Sequence, residues 1–120
     1  MPGPLDGVKV IDFTVFQQGP QATLIMADMG ADVIKVEPPM FGDLGRVLAL
    51  IGENRFSAYH LAHNRGKRSF TLNLKTEEAR DVVRKLIPRM DVMVHNFRPG
   101  AMERLGLGYD DVRPLNEQII

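Results

Sequence analysis

Cysteine and tryptophan are both missing from the 120 residues. Without cysteine there are no disulfides, no thiolate metal ligands and no thiol nucleophile, which suits a reducing compartment. No apolar run is long enough to cross a bilayer. The opening residues, MPGPLDGVKV, show no basic stretch followed by an apolar one, so no secretory leader is expected. Net charge is missing too: 15 Lys and Arg offset 15 Asp and Glu. No global field then favours nucleic acid or an anionic membrane. A Gly-rich Walker loop and a Gly-x-Ser-x-Gly elbow are also lacking. With 44% hydrophobic and 25% charged residues, the expectation is one soluble, cytoplasmic domain of ordinary size.

What is present alternates between two periods. Val8 to Phe13 (VKVIDF) reads as a strand. Gly19-Pro20 opens a helix, and Gly30 closes it as a C′ residue. Ala22, Leu24, Ile25, Met26 and Met29 surround that helix, which predicts that it is largely buried. Asp32 to Glu37 (DVIKVE) is a second strand, stopped by Pro38-Pro39. The stretch from Met40 to Asn54 is irregular, and Phe56 to Asn64 suits a short helix. Lys67 to Leu74 alternates as a third strand. Thr76 is a natural N-cap, with Glu77 and Glu78 in the first turn. Ala79, Val82, Val83, Leu86 and Ile87 then fall at helical spacing. Asp91 to Phe97 is a fourth strand, followed by short helices near Gly100 and over Tyr109 to Asn116. Gln118-Ile119-Ile120 opens a further strand, so the chain reads as a piece of a longer protein, with a terminal edge strand as the alternative. Strands alternating with helices predict a Rossmann-like α/β architecture with a mainly parallel sheet.

The first strand–helix–strand unit has the outline of a dinucleotide site, and Glu37 stands where a ribose acid would. The turn between Phe13 and Pro20 offers only Gly19, so the pyrophosphate glycines are lacking and nicotinamide or flavin binding is set aside. Ligands of open α/β sheets still bind beyond the carboxyl ends of the strands. That rim would gather Gln17 and Gln18, then Arg65, Lys67, Arg68 and Lys75, then Asn96, Phe97, Arg98 and Arg104. Cations, amides and an aromatic face suit a ligand with phosphates and a flat base; solvated surface charge is the competing reading. His60 and His63 share a helix face but have no third ligand at suitable spacing, so no metal is expected. His95 fits a hydrogen-bonded structural histidine better than a ligand contact. Asp12 is expected to bond the amides of the turn that follows it.

Read together, PLDGVKVIDFT, QQGP, MGADVIKVEPP, NRGKRSFTLNLKT, DVMVHNFRPGAMERLGLGYDDV and LNEQII resemble, in order, the N-terminal part of a class III CoA-transferase. The group includes formyl-CoA:oxalate and carnitine CoA-transferases and alpha-methylacyl-CoA racemase. The resemblance implies a CoA-binding segment over residues 1–120. It implies CoA contacts at Gln17, Gln18, Leu72, Lys75, Asn96, Phe97 and Arg104, with Gln17 lining the active site in an auxiliary catalytic role. Pro38 departs from members that carry a CoA-binding arginine there; the contact would then be missing or be supplied from elsewhere, by Lys67 or Arg68.

In such transferases an aspartate attacks the acyl-CoA thioester, and an aspartyl-CoA thioester then passes CoA to a carboxylic acid. The nucleophile would lie downstream of Ile120. Acyl-CoA is implied as a substrate, with no permanently bound cofactor, no nucleic acid and no membrane. An interlocked homodimer is implied as well. A racemase-type relative, or a non-catalytic CoA- or nucleotide-binding module, is the alternative. The acyl pocket would involve regions beyond this segment and the loop from Met40 to Arg55.

Overall fold

The computed structural model describes residues 3–52 and 56–120. Strand β1 (Lys9–Asp12) runs through a turn into helix α1 (Gln18–Asp28). Gly30 ends that helix with φ +103, a conformation only glycine adopts cheaply. Strand β2 (Asp32–Glu37) follows. A 3₁₀ turn (Leu44–Val47) then leads to a small antiparallel pair, β3 (Leu50–Ile51) and β4 (Phe56–Ser57). Next come helix α2 (Ala58–Asn64), strand β5 (Arg68–Thr71) and helix α3 (Glu77–Leu86). Strand β6 (Val92–Val94) and the short helices α4 (Ala101–Arg104) and α5 (Tyr109–Val112) complete the described chain.

The main sheet has the order β5-β2-β1-β6, and every pairing in it is parallel. The chain steps outward from β1 to β2 to β5, then returns to the far side of β1 with β6. The strand order therefore reverses between β1 and β6, where open α/β sheets form their ligand crevice. The predicted fold class is the observed one: mixed α/β with a parallel central sheet. Ile120 also lies beside β6, donating its N–H to Asp91 O (3.0 Å) and accepting Met93 N–H (2.8 Å); of the expected opening of a further strand only this residue pairs, since Gln118 is held in a turn by Asn116.

The two sheet faces differ in kind. Ile11, Phe13 and Val36 point to one face, where they pack with Val83 and Ile87 near α3 and with Met102, Leu107 and Val112. On the other face Val10 and Val33 form a smaller cluster with Ala31, beneath α1. Alternation along the strands places Asp12, Lys35 and Glu37 on this second face. Asp12 and Lys35 are register partners, and all three are buried.

Several expectations need correction. Helix α1 is not largely buried: Gly19, Pro20, Thr23 and Leu24 are, but Ala22, Ile25 and Met29 are exposed, Ile25 at 50%. One stripe of the helix meets the sheet, and nothing among the described residues covers the opposite one. The third strand is shorter than Lys67 to Leu74. Its ladder ends as Leu72 donates to Glu37 O (2.9 Å), because Asn73 accepts Lys75 N–H and turns the chain. The irregular stretch after Met40 contains the 3₁₀ turn and β3; the part of that loop at residues 53–55 lies outside the described residues.

Candidate functional site

The turn after β1 is built from side chains of other elements. Thr14 N–H donates to Asp12 Oδ1 (2.8 Å), and Thr14 C=O accepts from Lys35 Nζ (2.7 Å). Val15 N–H donates to Asn96 Oδ1 (2.9 Å), and Val15 C=O accepts from Asn96 Nδ2 (2.8 Å). Phe16 N–H donates to Asp43 Oδ1 (3.1 Å). Every backbone polar group from Thr14 N–H to Phe16 N–H is thus engaged. This fixes Phe16 at φ +72, a left-handed conformation costly for an aromatic residue. In a dinucleotide-binding unit the glycine turn and helix start present free amides to pyrophosphate. Here the amides of Thr14, Val15 and Phe16 are occupied and Pro20 has none to offer, which leaves only those of Gln17, Gln18 and Gly19 without an acceptor among the described residues. Gly19 keeps one feature of such units, close helix–strand packing. A Cβ on it would lie 2.5 Å from Thr14 Cβ.

Gln17 and Gln18 begin α1 with exposed side chains, and Gln17 makes no capping bond. Among the described residues neither side-chain amide has a hydrogen-bond partner, so both are available to a ligand.

Beside the turn lies a buried ionic layer that sequence reasoning missed. Asp12 takes its expected structural role: besides Thr14 it accepts from Thr23 Oγ1 (2.6 Å) and pairs with Lys67 Nζ (3.1 Å). Lys67 also donates to Pro20 O (2.9 Å), Thr23 Oγ1 (2.7 Å) and Asn64 Oδ1 (2.9 Å). Burial lowers its pKa, partly offset by Asp12. Lys35 pairs with Asp43 at 2.8 Å. Glu37 receives Arg46 through both oxygens (2.7 Å each), Ser69 Oγ (2.9 Å) and Asp43 N–H (2.9 Å). Burial alone would raise the Glu37 pKa. Arg46, the Asp43 amide and Ser69 outweigh it and bring it down to about 2. Asp43 is likewise lowered: Lys35 and the Gly45 and Phe16 amides overcome its burial. Glu37 is therefore no ordinary strand-end residue. The available clue was alternation, which puts Asp12, Lys35 and Glu37 on one face.

Lys67 is enclosed within this layer, and Arg68 pairs with Asp32 (2.6 Å) at the start of β5, away from the strands' carboxyl ends. Arg65 pairs with Asp28 (2.6 Å). None of these three is placed to replace a contact at Pro38. His63 and His60 are engaged within α2, His63 Nδ1 with Tyr59 O (2.8 Å) and His60 Nδ1 with Asn64 Nδ2 (3.2 Å). His95 is exposed, its ring tilted against Phe97 at 6.2 Å. No hydrogen bond holds it among the described residues.

A cleft of about 330 Å³ opens at the carboxyl ends of β1, β2 and β5. Phe13, Val36, Pro38, Leu72, Leu74 and Phe97 give it apolar walls, and Lys75 stands at its edge. Three of the expected contact residues, Leu72, Lys75 and Phe97, therefore meet in one slot. Gln17, Gln18 and Arg104 are exposed and outside its lining, and Asn96 faces the turn instead. Arg104 folds back over Gly100, whose missing side chain and φ of +79 admit the guanidinium. Lys75, Arg98 and Arg104 form no ion pair among the described residues, whereas Lys35, Arg46, Lys67 and Arg68 all do. The rim cations thus divide into structural and available ones. An apolar slot beside available cations can take a flat or alkyl group and hold phosphate near it.

The profile of CoA-transferase family III matches residues 5–120. The chain is 42% identical to formyl-CoA:oxalate CoA-transferase of Escherichia coli O81, covering all of this chain and 29% of that protein (100% and 29%). It is 43% identical to acetyl-CoA:oxalate CoA-transferase of Acetobacter aceti, over 98% of this chain and 30% of that one. Among solved structures, a CaiB/BaiF family protein from Brucella suis superposes with TM-score 0.92 at 42% identity, covering 100% of this chain and 32% of its own. Rv3272 from Mycobacterium tuberculosis superposes with TM-score 0.91 at 44% identity, over 98% and 33%. The chain spans about 30% of the length of these curated relatives.

Proposed function

The chain belongs to CoA-transferase family III, and on that premise we propose that residues 1–120 form the CoA-holding part of an enzyme that moves CoA from an acyl-CoA to a carboxylic acid. The observation that carries this reading is the apolar cleft at the strand ends, lined also by Lys75, which forms no ion pair among the described residues. The CoA base lies between Leu72 and Phe97. Lys75 and Arg104 take the phosphates, and the pantetheine arm runs toward Gln17 and Gln18.

The transfer proceeds through an aspartate outside this segment. Its carboxylate attacks the thioester carbonyl, the C–S bond breaks and CoA thiolate leaves, giving a mixed anhydride. The thiolate attacks the aspartyl carbonyl, expels the first carboxylate and forms an aspartyl-CoA thioester. The acceptor carboxylate then repeats the two steps in reverse order, and the aspartate is restored. Gln17 donates to the oxyanions that develop on the way. CoA enters and leaves as substrate, with no resident cofactor. The exposed apolar residues of this segment suit burial against a second subunit, and the cytoplasm suits the cysteine-free composition.

Calorimetric titration of the full-length protein tests the reading. CoA and acetyl-CoA should bind and NAD should not. Lys75→Ala and Arg104→Ala should each weaken CoA roughly tenfold, as expected for a charge-assisted phosphate contact. No CoA binding by a folded preparation, or tight NAD binding, overturns it. Epimerisation of a 2-methylacyl-CoA without transfer would point to the racemase branch.

A further inference from the structure

Asn96 is drawn to the ligand side by the family resemblance, yet both polar groups of its side chain are occupied by Val15 (2.9 and 2.8 Å). Asp43, from the loop after β2, holds the next amide at Phe16 (3.1 Å) and is itself fixed by Lys35 (2.8 Å) and the Gly45 amide (2.8 Å). Lys35 in turn grips Thr14 C=O (2.7 Å). Residues from three separate places in the chain therefore converge on three consecutive turn residues. The next residue is Gln17, whose side chain is unengaged among the described residues.

We propose that Asn96 and Asp43 are positioning residues that clamp the Thr14–Phe16 turn and so aim Gln17 at the reacting thioester. The inference rests on the CoA-transferase reading given above and assigns Asn96 a role other than ligand contact. A left-handed phenylalanine relaxes toward ordinary backbone angles unless its surroundings hold it. Two clamps on either side of the Val15–Phe16 peptide supply that restraint. Rotating this peptide would turn the start of α1 and carry the Gln17 amide away. The CoA slot, walled by Leu72, Leu74 and Phe97, would stay as it is.

A double-mutant cycle in the full-length enzyme tests this, with CoA affinity and steady-state kinetics measured on wild type, Gln17→Ala, Asn96→Ala and the pair. Asn96→Ala should lower kcat tenfold or more and leave CoA affinity within about twofold. Added to Gln17→Ala, it should have little further effect on kcat, because the clamp then has nothing to aim. A tenfold loss of CoA affinity in Asn96→Ala, or full additivity with Gln17→Ala, overturns the inference while wild-type CoA binding still upholds the transferase reading. Failure of wild type to bind CoA overturns that reading itself. If Asn96→Ala does not fold, Asn96→Asp replaces it in the same cycle: it keeps an acceptor for Val15 N–H and sets a carboxylate oxygen against Val15 C=O.

Discussion

Gly19 and Glu37 show how much depends on single positions. The space that Gly19 leaves is filled by Thr14, so Gly19→Ala forces the start of α1 off β1. The variant should lose about 1–3 kcal/mol, the usual range for overpacking, read as a lower denaturation midpoint in urea. Glu37 has a folded-state pKa of about 2 against an ordinary 4.5. A depressed carboxylate stabilises the fold fully above its unfolded pKa and loses that contribution as pH falls toward its folded one. Melting temperature should therefore drop between pH 4.5 and about 2. Asp43 adds to the same slope, since its pKa is shifted in the same direction. Glu37→Gln should be less stable at neutral pH and show a flatter acid limb; an unchanged limb would contradict the assignment. Asp12 was legible because a strand-end aspartate before a turn has few other uses. Glu37 was not, because its partners Arg46 and Ser69 come from elements whose packing no local pattern reveals.

Elements follow the sequence where local chemistry suffices. Thr76 caps α3 by accepting Ala79 N–H, as its position ahead of two glutamates predicts. Thr76→Ala should cost about 1 kcal/mol, measurable by thermal melting. Helix α1 shows where local chemistry stops. Its apolar residues cover most of the circumference, but composition does not say whether a partner stands on each side. The loop between β2 and α2 has no regular sequence period, yet Asp43, Lys35 and Glu37 tie it firmly to the sheet. Lys67 and Arg68 stand away from the expected rim for a similar reason. A basic run gives charge, not direction, and only the folded register shows that Lys67 turns inward to Asp12.

Across the whole molecule, the parallel sheet was readable from the alternation of periods, because crossover connections leave few arrangements open; the strand order, with its reversal at β1, comes from the structure alone. An unpartnered apolar surface follows from the resemblance to an interlocked homodimer, but no local pattern says which residues form it. Phe41, Val47, Ile51, Phe56 and Leu61 stand exposed between β2 and α2 and at α2 itself, and Met40 is 90% exposed. Exposed large apolar side chains in this number favour association. Residues 1–120 expressed alone should self-associate or precipitate, and a stable monodisperse monomer in sedimentation velocity would argue against it. The side-chain-built turn bears on kinetics. Asp12, Lys35, Asp43 and Asn96 come together only once β2, β6 and the loop after β2 have docked, so the turn cannot form ahead of the sheet. In hydrogen exchange the Val15 and Phe16 amides should open only with the sheet's global unfolding, far more slowly than surface loops usually do. The turn that aims Gln17 would then report, amide by amide, on whether the sheet behind it is intact.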